Sequence, residues 1–168
     1  MKIKNKILFL LLPFLAISCD KSSVFDEYKS VGNTWHKDSI IAFDLPQLEA
    51  KKQYNLFVNI RDNDDYAFNN LFLIVALEEP NKRVIVDTLE YEMTNPDGTL
   101  LGNGFTDVKE NKLFFKENVV FNQKGIYKVR IKQAVRQTGK IEGVESLTGI
   151  SDVGFRIESL EQNYGTKK

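Results

Sequence analysis

Alternation of apolar and polar residues is the main pattern along this chain. Leu56, Val58 and Ile60 alternate with polar neighbours, which predicts a strand with one buried face and one face exposed to solvent. The same two-residue period recurs in three later segments, residues 84–93, 127–132 and 150–159. We therefore expect strands rather than helices over most of the chain.

A second kind of apolar segment covers residues 71–77, which are apolar without interruption. Such a run predicts a central strand that is buried on both of its faces. Turn-forming residues separate the segments, above all residues 95–98, where proline presets one φ angle and glycine supplies a positive one. These features predict antiparallel strands that are joined by tight turns.

The predicted fold class is all-β, an antiparallel β-sandwich of the jelly-roll or Ig-like kind with about 7–8 strands. A small closed barrel is the alternative. We expect the sandwich to occupy residues 36–160 and the polar residues 161–168 to form a flexible tail. The 12 Phe and 6 Tyr supply large side chains for a core, so no disulfide is needed.

Residues 1–18 have the pattern of a cleaved lipoprotein signal peptide. Three lysines precede a short apolar run, and the small residue Ser18 lies directly before Cys19. The run is shorter than the ~20 residues that a membrane-spanning helix needs. Cys19 is then the lipidation site that anchors the protein in a membrane, and residues 19–35 form a tether and docking segment. An ordinary secretory signal is the alternative interpretation.

The composition restricts the possible functions further. Cys19 is the only cysteine, so its acylation leaves no thiol for a disulfide, a nucleophile or a metal site. Lys and Arg together number 23, as do Asp and Glu, and three of the lysines lie in the signal peptide. The exported part is therefore slightly acidic. Because no basic field is present, we expect no nucleic-acid partner and no attraction to anionic lipid headgroups.

No set of residues typical of catalysis or of cofactor binding is found in the sequence. His36 is the single histidine, whereas a zinc site or a Ser-His-Asp triad needs further ligands or a positioned carboxylate. A glycine-rich phosphate loop is also absent, so we expect no cofactor and no enzymatic activity. The remaining enzyme hypothesis is a hydrolase with paired Asp or Glu residues, which a sequence alone does not position.

The densest group of oxygen ligands covers residues 62–65. Asp62, Asp64 and Asp65 are a weak candidate for a Ca²⁺ site, because carboxylates are preferred ligands of that cation. An EF-hand loop is ruled out, since its sixth position would be Ala67 instead of glycine. We expect a solvated hairpin turn here and no metal.

Six residues are candidates for interaction or ligand binding, namely Trp35, Arg61, Tyr66, Arg130, Arg136 and Arg156. An exposed aromatic ring can stack on a sugar or a partner, although such rings are more often part of a core. The arginines lie on or beside predicted strands, where each could pair with a carboxylate on the sheet face. Alternatively, some of them form a recognition patch, because Arg is enriched at protein interfaces.

Several blocks of residues resemble a known family in their order and spacing. The blocks include Trp35, Tyr66-Ala67-Phe68-Asn69-Asn70-Leu71-Phe72, Asp87-Thr88-Leu89, Pro96-Asp97-Gly98, Gln133-Ala134-Val135-Arg136 and Gly149-Ile150-Ser151-Asp152-Val153-Gly154. Together with the signal peptide, they are similar to the GldH family of gliding-motility lipoproteins of Bacteroidetes over nearly the whole chain. Ala67 departs from the family pattern, which has a proline between the tyrosine and the next aromatic residue.

The resemblance implies an accessory lipoprotein without catalytic residues, acting as a structural or interaction component of the gliding machinery. That machinery is coupled to the type IX secretion system, so protein partners are expected in the gliding and secretion apparatus. The alternative function is a glycan-binding lipoprotein of an outer-membrane nutrient-uptake system. The anchor and the aromatic residues Trp35, Tyr66 and Phe68 suggest that alternative.

The residues after Cys19 bear on the location of the anchor. Asp20 is followed by Lys21, whereas an acidic run at this point is associated with surface export in lipoproteins of this phylum. We therefore expect a lipid-anchored protein of the cell envelope, at the periplasmic face of the outer membrane.

Overall fold

The computed structural model describes residues 22–104 and 106–160, which form ten β-strands. In chain order these are β1 (Ser23–Ser30), β2 (Thr34–His36), β3 (Ile41–Asp44), β4 (Gln53–Asp62), β5 (Asn70–Glu78), β6 (Val84–Glu92), β7 (Lys109–Val120), β8 (Lys128–Gln133), β9 (Ser146–Thr148) and β10 (Ile150–Ser159). The described residues include no helix, and therefore none long and apolar enough to cross a membrane.

Two antiparallel four-stranded sheets make up the sandwich. Sheet I has the strand order β1-β10-β4-β7, and sheet II has the order β3-β8-β5-β6. No two neighbouring strands of sheet I are consecutive in the chain, so the chain passes repeatedly from one sheet to the other. This is the strand arrangement of a jelly roll. It confirms the predicted all-β sandwich and selects the jelly roll over the Ig-like variant.

Aromatic rings fill the space between the two sheets. Phe43 of sheet II stacks on Phe155 of sheet I with ring centroids 6.3 Å apart, and Phe115 approaches Phe155 edge-on at 6.3 Å. At one end of the sandwich Phe121 lies 5.8 Å from Tyr54 and 4.8 Å from Tyr127, again edge-on. Edge-on and offset pairs of this kind add to the stabilisation from apolar burial.

The first strand corrects the expected tether and docking segment, residues 19–35. Its described part is mostly β-structure, because β1 pairs with β10 from Ser23 to Ser30 and β2 pairs with β9. The sandwich therefore begins near Ser23 rather than at residue 36. The sequence pattern did not predict β1 because an edge strand leaves most of its side chains exposed, and its composition is accordingly polar.

Strand β5 corrects the prediction that residues 71–77 are buried on both faces. Leu71, Leu73, Val75 and Leu77 point into the core and are at most 4% exposed. The alternate residues of β5 are only partly buried. Although β5 has a neighbouring strand on each side, its sheet packs against sheet I through one face only. The apolar run therefore extends onto the outer surface.

Gly149 fixes the turn between β9 and β10, and we expect its replacement by alanine to be strongly destabilising. Its φ angle is +89°, and an added Cβ would lie 2.5 Å from the Cα of Tyr66. Gly98→Ala is a matched control, because Gly98 has a φ angle of +85° but no atom within 4 Å of the added Cβ.

In denaturant titrations, Gly98→Ala should lose only the left-handed backbone cost of about 1–2 kcal/mol. Gly149→Ala should lose clearly more, because backbone atoms of Tyr66 must also move. Equal losses in the two variants would contradict the tight contact between Gly149 and Tyr66.

Candidate interaction surfaces

The two aromatic candidates are core residues. Trp35 is fully buried opposite Leu147, and its Nε1 donates a hydrogen bond to the carbonyl oxygen of Ser39 at 2.9 Å. Tyr66 is 5% exposed, its hydroxyl donates to the carbonyl oxygen of Asn70 at 2.8 Å, and burial raises its pKa. Neither ring offers a face to a ligand, so two of the three aromatic residues that suggested glycan binding are part of the core. The third, Phe68, is partly buried and lines a cleft.

The Asp62–Asp65 turn does not gather its carboxylates around a common point. Asp62 is fully buried, and its Oδ1 accepts a hydrogen bond from Asn111 at 2.9 Å, whereas Asp64 and Asp65 are exposed. Burial raises the pKa of Asp62 to about 7, which weakens it as a charged ligand. Within residues 22–104 and 106–160 no group of His, Cys, Asp or Glu is arranged to hold a metal ion.

Arg61 and Arg156 both lie on the outer face of sheet I. The Arg61 guanidinium stacks over the Tyr28 ring at 4.1 Å, and its Nε donates to Glu110 at 3.0 Å. Arg156 donates to Asp26 at 2.6 Å. These pairs bridge neighbouring strands, as in the interpretation that each arginine pairs with a carboxylate on the sheet face.

Arg130 and Arg136 occupy different places. Arg130 lies on the outer face of sheet II, where it forms an ion pair with Glu78. Arg136 follows β8 and lines an open cleft of about 790 Å³ together with Phe68, Glu90 and other polar residues. The four arginines therefore do not form one patch, because two lie on sheet I, one on sheet II and one beside the cleft.

The outer face of sheet II carries a group of apolar side chains that the sequence analysis did not recognise as a surface. This group, the apolar face, comprises Ala42, Phe72, Ile74, Ala76, Val84 and Val86. The strand register places Ala76 between Val86 on β6 and Arg130 on β8, and Ala42 beyond Arg130. Val84 is 45% and Val86 is 59% exposed. The signal for this surface was the uninterrupted apolar run of β5, which was interpreted as two-sided burial.

Charged residues border the apolar face. Lys128, Arg130 and Lys132 follow one another along the outer side of β8. Lys128 pairs with Asp44 at 3.3 Å and Arg130 pairs with Glu78. Lys132 has no ion-pair partner within the described residues. An unpaired positive charge therefore lies beside Ile74, its neighbour on β5.

The apolar face continues to an open strand edge at β6. The N–H of Glu79 donates to Arg83 and that of Met93 donates to Asn69, which fixes the alternation of backbone bonds between β5 and β6. It follows that the backbone groups of Val84, Val86 and the alternate residues up to Glu92 point away from β5. A β-strand of another protein can pair with such an edge.

Comparisons with known proteins give the same family as the sequence blocks. The GldH lipoprotein family model matches residues 23–157. The protein named gliding motility lipoprotein GldH in Flavobacterium johnsoniae is 67% identical over 161 residues, which cover 96% of this chain and 100% of that protein. A GldH homolog of Christiangramia forsetii is 53% identical over 154 residues, which cover 92% of this chain and 94% of the homolog.

Solved structures resemble the chain only distantly. The infectious bursal disease virus VP2 subviral particle matches 89% of this chain and 36% of the viral chain, with 13% sequence identity and a TM-score of 0.39. A second structure of the same virus, from the Gx strain, matches with a TM-score of 0.33. Likeness at this level carries no argument about function.

Proposed function

The chain belongs to the GldH lipoprotein family, and on that premise we propose that it docks another protein of the gliding apparatus. It is a gliding-motility lipoprotein, lipid-anchored in the cell envelope. In the proposal, Cys19 holds it at the periplasmic face of the outer membrane. Its partner belongs to the gliding apparatus or to the associated type IX secretion system.

The observation that carries the proposal is the apolar face of sheet II. An uninterrupted apolar strand is typical of burial on both sides, yet the sandwich covers only one side of β5. Val84 and Val86 are exposed, and Phe72, Ile74 and Ala76 beside them are partly exposed. Larger contiguous apolar patches on a protein surface mark interaction sites. A partner that covers Ile74, Val84 and Val86 would complete the burial that the sequence of β5 indicates.

The surroundings of the apolar face define the chemistry of the partner. The open edge of β6 suits an extended segment of polypeptide, which would gain backbone hydrogen bonds along the edge. Lys132 favours a carboxylate on that partner beside the apolar side chains. We therefore infer a protein partner with an apolar, acid-flanked strand rather than a glycan.

Val86→Asp is the direct test of this docking surface. We expect the variant to remain folded, because Val86 is 59% exposed, and to lose the partner, because a carboxylate would be desolvated in an apolar interface. Crosslinked purification of the tagged, acylated protein from its native envelope measures partner recovery. Colony spreading and adhesin export measure function, and both should fall to the level of a deletion strain.

Ile141→Asp is the matched control, since Ile141 is 85% exposed and lies in the loop that follows β8. This variant should recover the same partners as the unmodified protein. Undiminished recovery with Val86→Asp would overturn the docking surface. Recovery of an untagged second copy of this chain with the unmodified protein, and of no other partner, would indicate self-association instead. Normal adhesin export in the deletion strain would contradict the link to type IX secretion.

A further inference from the structure

One end of the sandwich gathers the start of the described chain and three connections. This proximal end comprises Ser22 and residues 46–52, 79–83 and 122–126. Hydrogen bonds hold its parts together: Ser22 accepts from the N–H of Ser159 at 2.8 Å, the N–H of Gly125 donates to Gln47 at 3.1 Å, and Gln123 donates to Glu79 at 2.9 Å. The proximal end is therefore one continuous surface.

The lipid anchor, as placed by the proposed function, lies close to this surface. Cys19 precedes Ser22 by three residues, and three residues span at most about 10 Å when fully extended. A ten-residue strand such as β4 is about 33 Å long, so the opposite end of the sandwich is much farther from the anchor. An acylated Cys19 thus holds the proximal end next to the lipid headgroups.

Basic side chains predominate at the proximal end. The exposed or partly exposed cations there are Lys51, Lys52, Lys82, Arg83 and Lys124. Two of them have carboxylate partners, because Lys52 pairs with Glu49 at 3.2 Å and Lys82 pairs with Glu78 at 3.1 Å. Lys51, Arg83 and Lys124 have no ion-pair partner within the described residues. The further carboxylates in this region are Glu79, Glu117 and Asp44, of which Asp44 pairs with Lys128 at 3.3 Å.

The opposite end has the reverse balance of charge. Its exposed cations, Lys37, Arg136 and Lys140, are outnumbered by the exposed carboxylates Asp38, Asp64, Asp65, Asp97, Asp107, Glu142 and Glu145. Exposed carboxylates follow the distal ends of β4 and β6 and precede β7, at Asp64, Asp65, Asp97 and Asp107. The slightly acidic exported chain is therefore polarised along the strands, and cations without an ion-pair partner lie on the side where the anchor enters. The net charge of the chain gave no sign of this local concentration, so the expectation that anionic headgroups are not attracted does not hold for this end.

An exposed isoleucine lies in the connection between β7 and β8 at the proximal end. Ile126 is 59% exposed, although the next residue, Tyr127, is buried against Phe121. Adjacent side chains of an extended chain point in opposite directions, so Ile126 points out of the sandwich. An apolar side chain flanked by cations is the composition of surfaces that lie in the headgroup region of a membrane.

We propose that the proximal end is a membrane-binding surface for anionic lipid headgroups, with Lys51, Arg83 and Lys124 contacting the headgroups and Ile126 inserted between them. The inference rests on acylation of Cys19. It goes beyond docking, because it fixes the orientation of the molecule. The strands then run from the membrane surface outward, with the proximal end at the membrane. The edge of β6 is then presented along the membrane normal.

The test uses the full acylated protein in vesicles, without any partner protein. Ile126→Cys introduces the only free thiol of an acylated chain, which is labelled with a fluorophore, and a nitroxide on the lipid headgroups acts as the quencher. Ile141→Cys carries the same label after β8, toward the other end. In vesicles that contain phosphatidylglycerol, we expect strong quenching at position 126 and several-fold weaker quenching at position 141.

Charge reversal separates headgroup binding from mere tethering. We expect replacement of Lys51, Arg83 and Lys124 by Glu to favour molecules that are tethered but do not contact the headgroups. The ratio of molecules in contact to molecules not in contact should fall at least about fivefold for each charge. Salt at 0.5 M, or vesicles of phosphatidylcholine alone, should also lower this ratio.

Equal quenching at positions 126 and 141 would overturn the membrane-facing orientation. Quenching that is unaffected by charge reversal would overturn headgroup binding. A protein that does not insert at all would overturn the anchor on which the inference rests. The first two results would leave partner recovery by the apolar face unchanged, so failure of headgroup binding is distinguishable from failure of docking. Failure to insert would contradict the anchor that both proposals share.

Discussion

Replacing Cys19 by serine is expected to release the protein from the membrane and to abolish gliding. Acyl chains contribute about 0.8 kcal/mol per buried methylene, so two chains with about ten buried methylenes each give about 16 kcal/mol. The basic proximal end alone gives only reversible, salt-dependent binding to anionic lipid. Membrane fractionation and a colony-spreading assay measure the two effects, and the variant protein should appear in the soluble fraction.

Ser18→Ala is the control for this experiment, because it keeps a small residue before Cys19 and should leave processing unchanged. Both Cys19 and Ser18 lie outside the described residues, so the prediction depends on the sequence pattern and on the family. A Cys19→Ser protein that stays in the membrane fraction and resists high salt would show that the lipid is not the main anchor. It would also contradict removal of residues 1–18.

Replacing Asp62 by asparagine is expected to remove a loss of stability of about 4 kcal/mol that the unmodified protein shows as pH rises from about 4 to 7. Burial raises the pKa of Asp62 to about 7, about three units above the value of an unfolded chain, and each unit corresponds to about 1.4 kcal/mol. Its Oδ1 accepts from Asn111, while its Oδ2 is buried without a hydrogen-bond partner within the described residues. An asparagine keeps the acceptor and removes the buried charge.

The sign of the pH dependence follows from the direction of this pKa shift. The folded protein keeps the Asp62 proton up to about pH 7, whereas the unfolded chain releases it near pH 4. Between those values the folded state binds more protons, so stability falls as pH rises from about 4 to 7 and then levels off. The stabilising effect of protonation is complete below about pH 4.

Urea titrations of the purified protein between pH 4 and 8 measure this dependence. Asp62→Asn should flatten the decline that the unmodified protein shows, whereas Asp107→Asn, at an exposed position, should leave it in place. If both variants lose stability with pH exactly as the parent does, the buried carboxyl of Asp62 is not its source. A gain in the Asp107 variant would point to overall charge instead.

Local patterns of the sequence were sufficient for the fold class. The alternation at Leu56, Val58 and Ile60 places three side chains on one face of β4, and all three are fully buried. The lipoprotein signal and the blocks that resemble GldH likewise depend on residue types and spacing alone. These features can be predicted from the sequence because a two-residue period and a signal peptide are each determined by a short stretch of chain.

The same patterns misplaced residues whose surroundings come from distant parts of the chain. Trp35 was a candidate for stacking, yet it packs against Leu147, which is more than a hundred residues away in the chain. The polar segment of β1 was expected to belong to a tether and docking segment, yet pairing with β10 makes it a strand of the sandwich. Asp62 was a weak candidate for a cation ligand, yet it points into the sandwich beside Asn111.

The sequence by itself determined that this protein is a lipoprotein of the GldH family built from antiparallel strands. Only the tertiary structure decided which faces of those strands are covered. The uninterrupted apolar run of β5 is compatible with either outcome, and packing against sheet I buries Leu73 while it leaves Ile74 on the apolar face. A two-residue period assigns side chains to faces, whereas the covering of a face depends on contacts between segments far apart in the chain.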